Sequence, residues 1–477
     1  AFARRSSDLE ASSVEASDVG DEVGAPGGHG KMEMPYPKPG ILELVAFSVF
    51  HLHGLGRLGP LLRKLSAGPV RFASLCSGLE VFTMVFLALE SAFDDLPDLT
   101  LENRPQFIHE LSCELDDSKR ALCTKISPSV QHVYKDVVEL SSGCAYDYVH
   151  KRKTRPDAPD VMAAGFSCKD LSGMRRTGVK FVNNMSNTSG RTFYACAACA
   201  KEWKPSIVIY ENVKGLVANR SADRGLKPID AVDETMRELG YLGAHRLVDS
   251  SHYALPQRRS RVWLIYFKTG CGDARVAINS MKMFETQMLP LKQILDKSPS
   301  APLDAPAASK GMANKRQWRE KVSNARKKLK LKPKDCSDMQ KLLEQSNPSF
   351  RARTPRVRAN LAVQYLRAKN QGLDFAKVPI VFQTDQDLPR QPRAVAKVPC
   401  ICPSGSYWLA SGCLSSHRYL SARELARLQG VGEQELAVFG LRGVSDSLLR
   451  DLAGNAFSGP VCAAAVLSAL LSWERLA

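Results

Sequence analysis

Between residues 69 and 270 the apolar positions fall in short runs separated by helical patterns. VRFASLC (70–76) predicts a strand, and VFTMVFLALESAF (81–93) the helix after it. PQFIHELSCE (105–114) predicts a second strand, followed by a helix in LDDSKRALCTKI (115–126). PDVMAAGF, PSIVIYENV and SRVWLIYF are further strand candidates, rich in β-branched or aromatic residues and bounded by Pro, Gly or charge. Strands alternating with helices predict an α/β fold with a mostly parallel sheet. The rhythm stops after residue 270, where Pro, Lys and Arg rise and SPSAPLDAPAAS (298–309) reads as a linker. Helical patterns return in SARELARLQ and PVCAAAVLSALLSWERL, within 417–477. Residues 36–68 read as a helical N-terminal extension. Residues 1–35, rich in Ser, Gly, Ala and acids without periodicity, read as disordered.

Charge sharpens this division. The chain of 477 residues carries a net charge of +17. Residues 271–416 alone hold 26 basic and 11 acidic residues, so nearly all of the excess sits in one irregular insert. Within it, residues 310–334 contain eleven basic residues and a single acid, Glu320. Such clustering is an electrostatic footprint for phosphate backbones. A solvated helix face or a linker is the ordinary alternative, and a nuclear-import signal is another use of the same run. The chain begins at Ala1, as a fragment or processed product would, and its first residues lack the apolar core of a signal peptide. Residues 41–62 are broken by Glu43, His51, His53, Arg57 and glycines, so no membrane span is expected. The 13 cysteines are then expected to be reduced thiols.

Four stretches carry candidate chemistry. In PDVMAAGFSCKDLSG (159–173) a strand ends at Gly165 and leaves Cys168 beyond its C-terminal end, the edge where open α/β sheets bind ligands. A cysteine there is a nucleophile if its thiolate is favoured, or an ordinary buried thiol. PSIVIYENVKGL (205–216) runs an apolar strand into Glu211 and Asn212, where a carboxylate can move a proton or cap a helix. In LPQRRSRVWLIYF (255–267), Gln257, Arg259 and Arg261 alternate and project to one side of an extended segment, suited to an anion or a carbonyl oxygen. HRYLSARELARLQGV (417–431) is followed by LAGNAFSGP (452–460), where Gly454 and Asn455 are expected to start a tight turn.

The order Cys loop, ENV, QxRxR, basic insert, RELARLQG and GN resembles the C5 cytosine-specific DNA methyltransferase family, over residues 70–270 and 417–470. The resemblance implies a Rossmann-like, mostly parallel methyltransferase sheet (69–270, completed by 417–477) and S-adenosylmethionine as cofactor. Residues 271–416 would be the target-recognition insert. Cys76, Ser77, Gly78 and Leu79 stand where the family wraps the methionine part. Glu114 is similar to the acid on the ribose hydroxyls, and Asp136, with Val137 beside it, to the acid on the adenine amino group. Asn455 belongs to the GN segment of the cofactor edge. Helix N-capping is the ordinary alternative for either acid. Cys168 is implied as the nucleophile, Glu211 as the group that meets cytosine N3, and Asn212 as the residue that holds the Glu loop. Arg261, with Arg259 behind it, is implied to face O2. Ser172 matches the family's distal serine and is implied to contact the nucleic acid.

Departures from the pattern are Ser74 for an acid, Glu80 for a glycine, Ser167 for the proline before the nucleophile, and Lys169 for a glutamine. Ser167 is expected to loosen the loop, and Lys169 to favour the thiolate. In the insert, Lys327, Lys328, Arg351, Arg353, Arg356 and Arg358 are candidates for phosphates or guanine edges. The expected partner is double-stranded DNA, read after base flipping, in a nucleus if the source is eukaryotic and otherwise in the cytoplasm or nucleoid. Two alternatives stay open: a catalytically weak DNA- or chromatin-binding homologue, and a tRNA cytosine-5 methyltransferase. No metal ligands are assigned. The CAAC of Cys196 and Cys199 suits a redox or zinc role but lacks the second pair zinc needs, and the set Cys400, Cys402, Cys413 and His417 has zinc-like residue types with C-x-C in place of the usual C-x-x-C.

Overall fold

A computed structural model describes residues 40–76, 78–96, 104–171, 185–218, 227–296, 315–385 and 397–475. Two helices, α1 (Ile41–Gly54) and α2 (Leu58–Leu65), precede strand β1 (Val70–Leu75) and helix α3 (Val81–Asp94). Then come β2 (Phe107–Cys113), α4 (Asp117–Ile126), β3 (His132–Tyr134) and α5 (Val137–Leu140). The short strands β4 (Ala145–Asp147) and β5 (Arg152–Thr154) form an antiparallel hairpin. Next are β6 (Val161–Ala164), α6 (Thr188–Trp203), β7 (Ile207–Val213), α7 (Pro228–Glu238), β8 (Tyr241–Asp249), β9 (Ser260–Lys268) and α8 (Ala274–Ser280).

These nine strands form one sheet in the order β5-β4-β3-β2-β1-β6-β7-β9-β8. The five central strands, β3 to β7 in space, are parallel, and an antiparallel pair closes each side. SRVWLIYF is therefore a strand as expected, but it runs against its neighbour β7. The strands read as unbroken apolar runs because both faces of the sheet are covered. Along β7, Ile207 and Ile209 enter one core with α1, α3 and α16 (Gly459–Ser472), while Val208 and Tyr210 enter the other, with α6 and α7. Along β9, Trp263, Ile265 and Phe267 alternate in the same way with Val262, Leu264 and Tyr266. This two-residue period splits β7 and β9 between two helical layers.

Helices α1 and α2 account for residues 41–65 of the expected N-terminal extension. Ile41, Val45, Val49 and Leu52 are buried against α3 and the C-terminal α16, so this apolar segment covers the sheet's helical layer. Among the described residues no single helix is long and apolar enough to cross a membrane.

The insert is not irregular, contrary to the expectation from its composition. It holds α9 (Lys315–Lys328), α10 (Pro333–Ser346), α11 (Pro348–Arg351) and α12 (Pro355–Asn370). Its basic residues obscured a helical repeat of buried positions such as Leu343, Phe350, Leu361 and Tyr365. A small antiparallel sheet joins β10 (Ile380–Gln383), β11 (Tyr407–Ala410) and β12 (Arg418–Tyr419), so it straddles the boundary drawn at 416/417.

Beyond it lie α13 (Ala422–Arg427), α14 (Glu433–Val438) and α15 (Asp446–Asn455). Ser421 and Glu424 form a reciprocal cap at the start of α13. The same Glu424, fully buried, receives Arg418 through two bonds of 2.7 Å and the Asp296 amide at 2.9 Å. One carboxylate thus ties the insert's return strand β12 and the Asp296 backbone to helix α13. Glu424→Gln leaves the Arg418 charge buried without its partner, and should cost about 3–5 kcal/mol in urea-induced unfolding.

Candidate active site

The parallel register of β6 and β7 sets Ala164 beside Tyr210, so the two strands end at one edge. The β6 loop carries Cys168, and β7 ends in Glu211 and Asn212. Antiparallel pairing places Arg261 opposite Val213, which brings the start of β9 to that edge as well. Arg261 Nε lies 3.2 Å from Glu211 Oε1. Both groups act electrostatically on the Cys168 thiol.

Several contacts fix the Cys168 loop. The Asn212 side-chain amide donates to Phe166 O at 2.9 Å while its Oδ1 accepts from the Val213 amide at 2.8 Å, binding the end of β7 both to the loop and to its own turn. The Ser167 amide donates to Thr192 Oγ1 at 3.0 Å. Asp170 and Ser189 exchange hydrogen bonds, 3.0 Å from the Asp170 amide and 2.9 Å to its carboxylate. The expected loosening at Ser167 is therefore offset by anchors on α6. Gly215 lies so close to this loop that a Cβ there would stand 1.9 Å from Leu171 O.

Although Cys168 is open to solvent, the protein packed around its thiol and the Glu211 carboxylate push its pKa up, and Arg261 and Arg259 pull it back. Lys169 is exposed, and the cations that favour this thiolate are the two arginines. Burial also raises the Glu211 carboxyl, against the pull of Arg261 and then Arg259. Arg259 does not face the cleft. Its buried guanidinium donates to Ile401 O at 3.1 Å and to Ala456 O at 2.6 Å, so it braces the C-terminal part behind Arg261. Gln257 acts similarly, donating to Leu428 O at 2.7 Å and accepting from the Ile401 amide at 3.1 Å.

A neighbour that sequence reasoning missed in this role is Cys400. It accepts from Arg261 Nη2 at 3.6 Å and from Arg259 Nη1 at 3.8 Å. A hydrogen bond from Cys402 is the largest influence drawing its thiol below the ordinary range. Burial opposes this shift and the two guanidiniums assist it. The residue types of Cys400, Cys402, Cys413 and His417 left zinc open, but His417 bonds Tyr365 at 2.5 Å. Among the described residues these three cysteines and His417 form no ligand cluster, nor do Cys196 and Cys199 with other ligands.

The expected cofactor residues lie at the ends of β1, β2 and β3. Cys76 and Gly78 have φ of 54° and 57°, a left-handed path that bends the loop sharply. The Gly78 amide donates to Glu114 Oε2 at 2.9 Å, and Leu79 is fully buried. Burial, opposed by the Asp116 and Gly78 amides, holds the Glu114 carboxyl above its usual range. Asp136 caps α5 through the Val138 amide at 2.9 Å, and Val137 is buried beneath it. Asn455 does not start a turn. It is the last residue of α15, its side chain donates to Asp451 O at 3.0 Å, and its carbonyl lies 3.5 Å from where a Gly78 Cβ would stand.

Glu80 occupies the family's glycine position at φ 57°, and its carboxylate turns inward to Thr83 at 2.5 Å and Cys123 at 3.3 Å. The departure thus keeps the glycine-like backbone and leaves the cofactor edge clear of its side chain. Ser74 is buried within β1. Ser77 and Ser172 lie outside the described residues.

In the insert, Lys327 and Lys328 are exposed at the end of α9. The arginines are partly engaged internally. Arg351 donates to Glu344 O at 3.0 Å and Arg353 to Ser349 O at 2.7 Å, with its guanidinium over the Tyr419 ring. Arg358 pairs with Glu344 at 3.0 Å, and Arg356 reaches Asp385 O at 3.5 Å. Of the four, Arg351 is the most open to solvent.

Two measurements probe this geometry. Peptide-resolved alkylation of Cys168 by iodoacetamide should reach half-maximal rate above the pH of a free cysteine, since the thiol is raised. Arg261→Ala should move that midpoint further up, and Glu211→Gln should move it down, with exposed Cys144 and Cys413 as internal controls. Gly215→Ala must displace the Cys168 loop backbone, and should destabilise the fold by about 1–3 kcal/mol in thermal or urea unfolding.

The C-5 cytosine-specific DNA methylase family is matched over residues 70–470. The DNA (cytosine-5-)-methyltransferase DMT5 of Cryptococcus neoformans is 25% identical over 449 residues, which are 86% of this chain but 17% of that protein. The type II methyltransferase M.HhaI of Haemophilus parahaemolyticus is 31% identical over 118 residues, 24% of this chain and 32% of the bacterial enzyme. The chain therefore spans a minor part of the length of either relative. Among solved structures, the S. pombe Dnmt2 methyltransferase aligns with a TM-score of 0.45 at 12% identity, covering 85% of this chain and 98% of that one. The family match takes in all the elements that build the cleft, and the chain belongs to the C-5 cytosine-specific DNA methylase family.

Proposed function

We propose that this chain methylates C5 of a flipped-out cytosine in double-stranded DNA, with Cys168 as nucleophile. The observation that carries the reading is the convergence of a thiol, a buried carboxyl and a guanidinium at one sheet edge, in a chain of this family. S-adenosylmethionine supplies an electrophilic methyl group on its sulfonium. Gly78, Glu114, Asp136 and Asn455 would hold it, with Cys76, Leu79 and Val137 shaping the edge. The residues fit: the left-handed loop path keeps side chains out of the edge, and buried Glu114 presents a carboxylate there.

C5 of cytosine is a poor nucleophile. The Cys168 thiolate adds to C6, forming a C–S bond and leaving an enamine-like ring that is nucleophilic at C5. Glu211, its carboxyl raised by burial, protonates or hydrogen-bonds N3 as charge accumulates there. Arg261 faces O2, and Arg259 holds the chain behind it. After C5 is substituted, loss of its proton restores the ring and expels Cys168. A base inside a duplex cannot reach this edge, so flipping is required. The exposed Lys327, Lys328 and Arg351 are the insert's open contributors to phosphate binding. A nuclear site of action in a eukaryotic cell, or the nucleoid in a bacterium, accompanies this reading.

The test is a mechanism-based trap. The protein is incubated with S-adenosylmethionine and duplex DNA containing 5-fluorocytosine, then run on a denaturing gel. Fluorine cannot leave as the proton does, so a shifted band should appear that requires the cofactor and is lost in Cys168→Ala. A band on matching RNA alone would favour a tRNA substrate. DNA binding with no band on either polymer would leave a binding homologue without chemistry.

A further inference from the structure

Away from the cleft, at the hairpin edge of the large sheet, His132, Asp147 and His150 bring their ligand atoms within 4.8 Å of one another. His132 begins β3, Asp147 ends β4, and His150 lies in the turn towards β5. Both imidazoles aim Nδ1 at one oxygen: Asp147 Oδ2 lies 2.7 Å from His132 and 2.5 Å from His150. Thr154 Oγ1 donates to that oxygen as well, at 3.0 Å. The other oxygen, Oδ1, accepts from the Val133 and Val149 amides at 3.1 and 2.9 Å. Asp147 is completely buried, so its position is fixed from several directions at once. Two imidazoles and a hydroxyl on one carboxylate oxygen exceed what satisfying a single buried acid requires.

The surroundings have the layout of a metal site's outer shell. His132 Nε2, the nitrogen turned away from Asp147, lies 3.7 Å from Glu110 Oε1. Glu110 is itself buried, and is held by Arg71 at 2.6 Å and by the Asp157 amide at 2.8 Å. A carboxylate behind a ligating imidazole fixes its tautomer and raises its basicity. The His150 side chain is 41% exposed, which gives an entry path and room for a water ligand.

We infer that His132 Nδ1, His150 Nδ1 and Asp147 Oδ2 form a binding site for a divalent transition cation of the Zn²⁺ class, with its fourth position open to water. Two nitrogens and one carboxylate oxygen are a donor set that such an ion accepts. Tetrahedral ligands about 2.0–2.1 Å from the ion stand roughly 3.3 Å apart, so the turn carrying His150 moves outward by less than about 1 Å. Both imidazoles bind as neutral rings, with the proton on Nε2 and, for His132, directed at Glu110. An occupied site would pin the β4–β5 hairpin to β3, the strand that leads into Asp136.

The test uses the full chain and Co²⁺, read by visible absorption and by anomalous diffraction. We expect one equivalent with weak d–d bands and no intense near-ultraviolet thiolate band, because the ligands are nitrogen and oxygen. Affinity should fall at least tenfold in His150→Ala, a substitution on a half-open turn, and about tenfold in Glu110→Gln. Thermal melting of each variant shows that it is folded. Absence of binding, affinity unchanged in His150→Ala, a thiolate band, or anomalous density away from His150 would each overturn the assignment.

Discussion

The side-by-side parallel pairing of β6 and β7 is the constraint on which the cleft depends. Parallel strands deliver their C-terminal ends to one edge, so the loop that carries Cys168 and the residues Glu211 and Asn212 become neighbours across 43 positions of sequence. Antiparallel β9 adds its N-terminal end, and Arg261, to the same edge. Asn212 then locks the arrangement by reaching across to Phe166 O. A one-residue slip between β6 and β7 would separate the thiol from the carboxyl and exchange the two cores, because alternate residues feed opposite layers.

Charge burial is managed by sharing. Glu211 and Arg261 offset one another, whereas Arg259 satisfies its guanidinium on the carbonyls of Ile401 and Ala456. Those carbonyls belong to segments 140 to 200 residues further along the chain. Gln257 grips Leu428 and Ile401 in the same manner. Gln257 and Arg259 of the QxRxR motif thus clamp the later part of the chain, Gln257 on the RELARLQG segment and Arg259 on Ile401 and Ala456, while Arg261 meets Glu211. Cys400, set against both guanidiniums, couples the insert's return path to that same arginine.

The insert shows the limit of reading charge as a footprint. Its excess of basic residues is real, yet Arg353 and Arg358 spend part of their capacity on Ser349, Tyr419 and Glu344. Lys327 and Lys328, at the exposed end of α9, make fewer such claims on the fold.

The sequence by itself determined the central strands, the helices between them and the identity of the cleft's main residues. Runs such as IVIYEN and VWLIYF are dictated by burial on both faces, and a polar residue ending such a run is conspicuous. It could not determine direction or contact. Nothing in SRVWLIYF distinguishes an antiparallel strand from a parallel one, and the alternation of Arg259 with Arg261 does not say which meets carbonyls and which meets the cleft. The helices of the insert were hidden because their buried positions are sparse among lysines and arginines. The local turn signal at Gly454 and Asn455 was overruled by the packing of α15. His132, Asp147 and His150 were silent for a similar reason: their spacing matches no linear motif, and only the hairpin of β4 and β5 folded against β3 brings them together. Local sequence sets what each segment can be, and tertiary pairing decides which polar groups face one another.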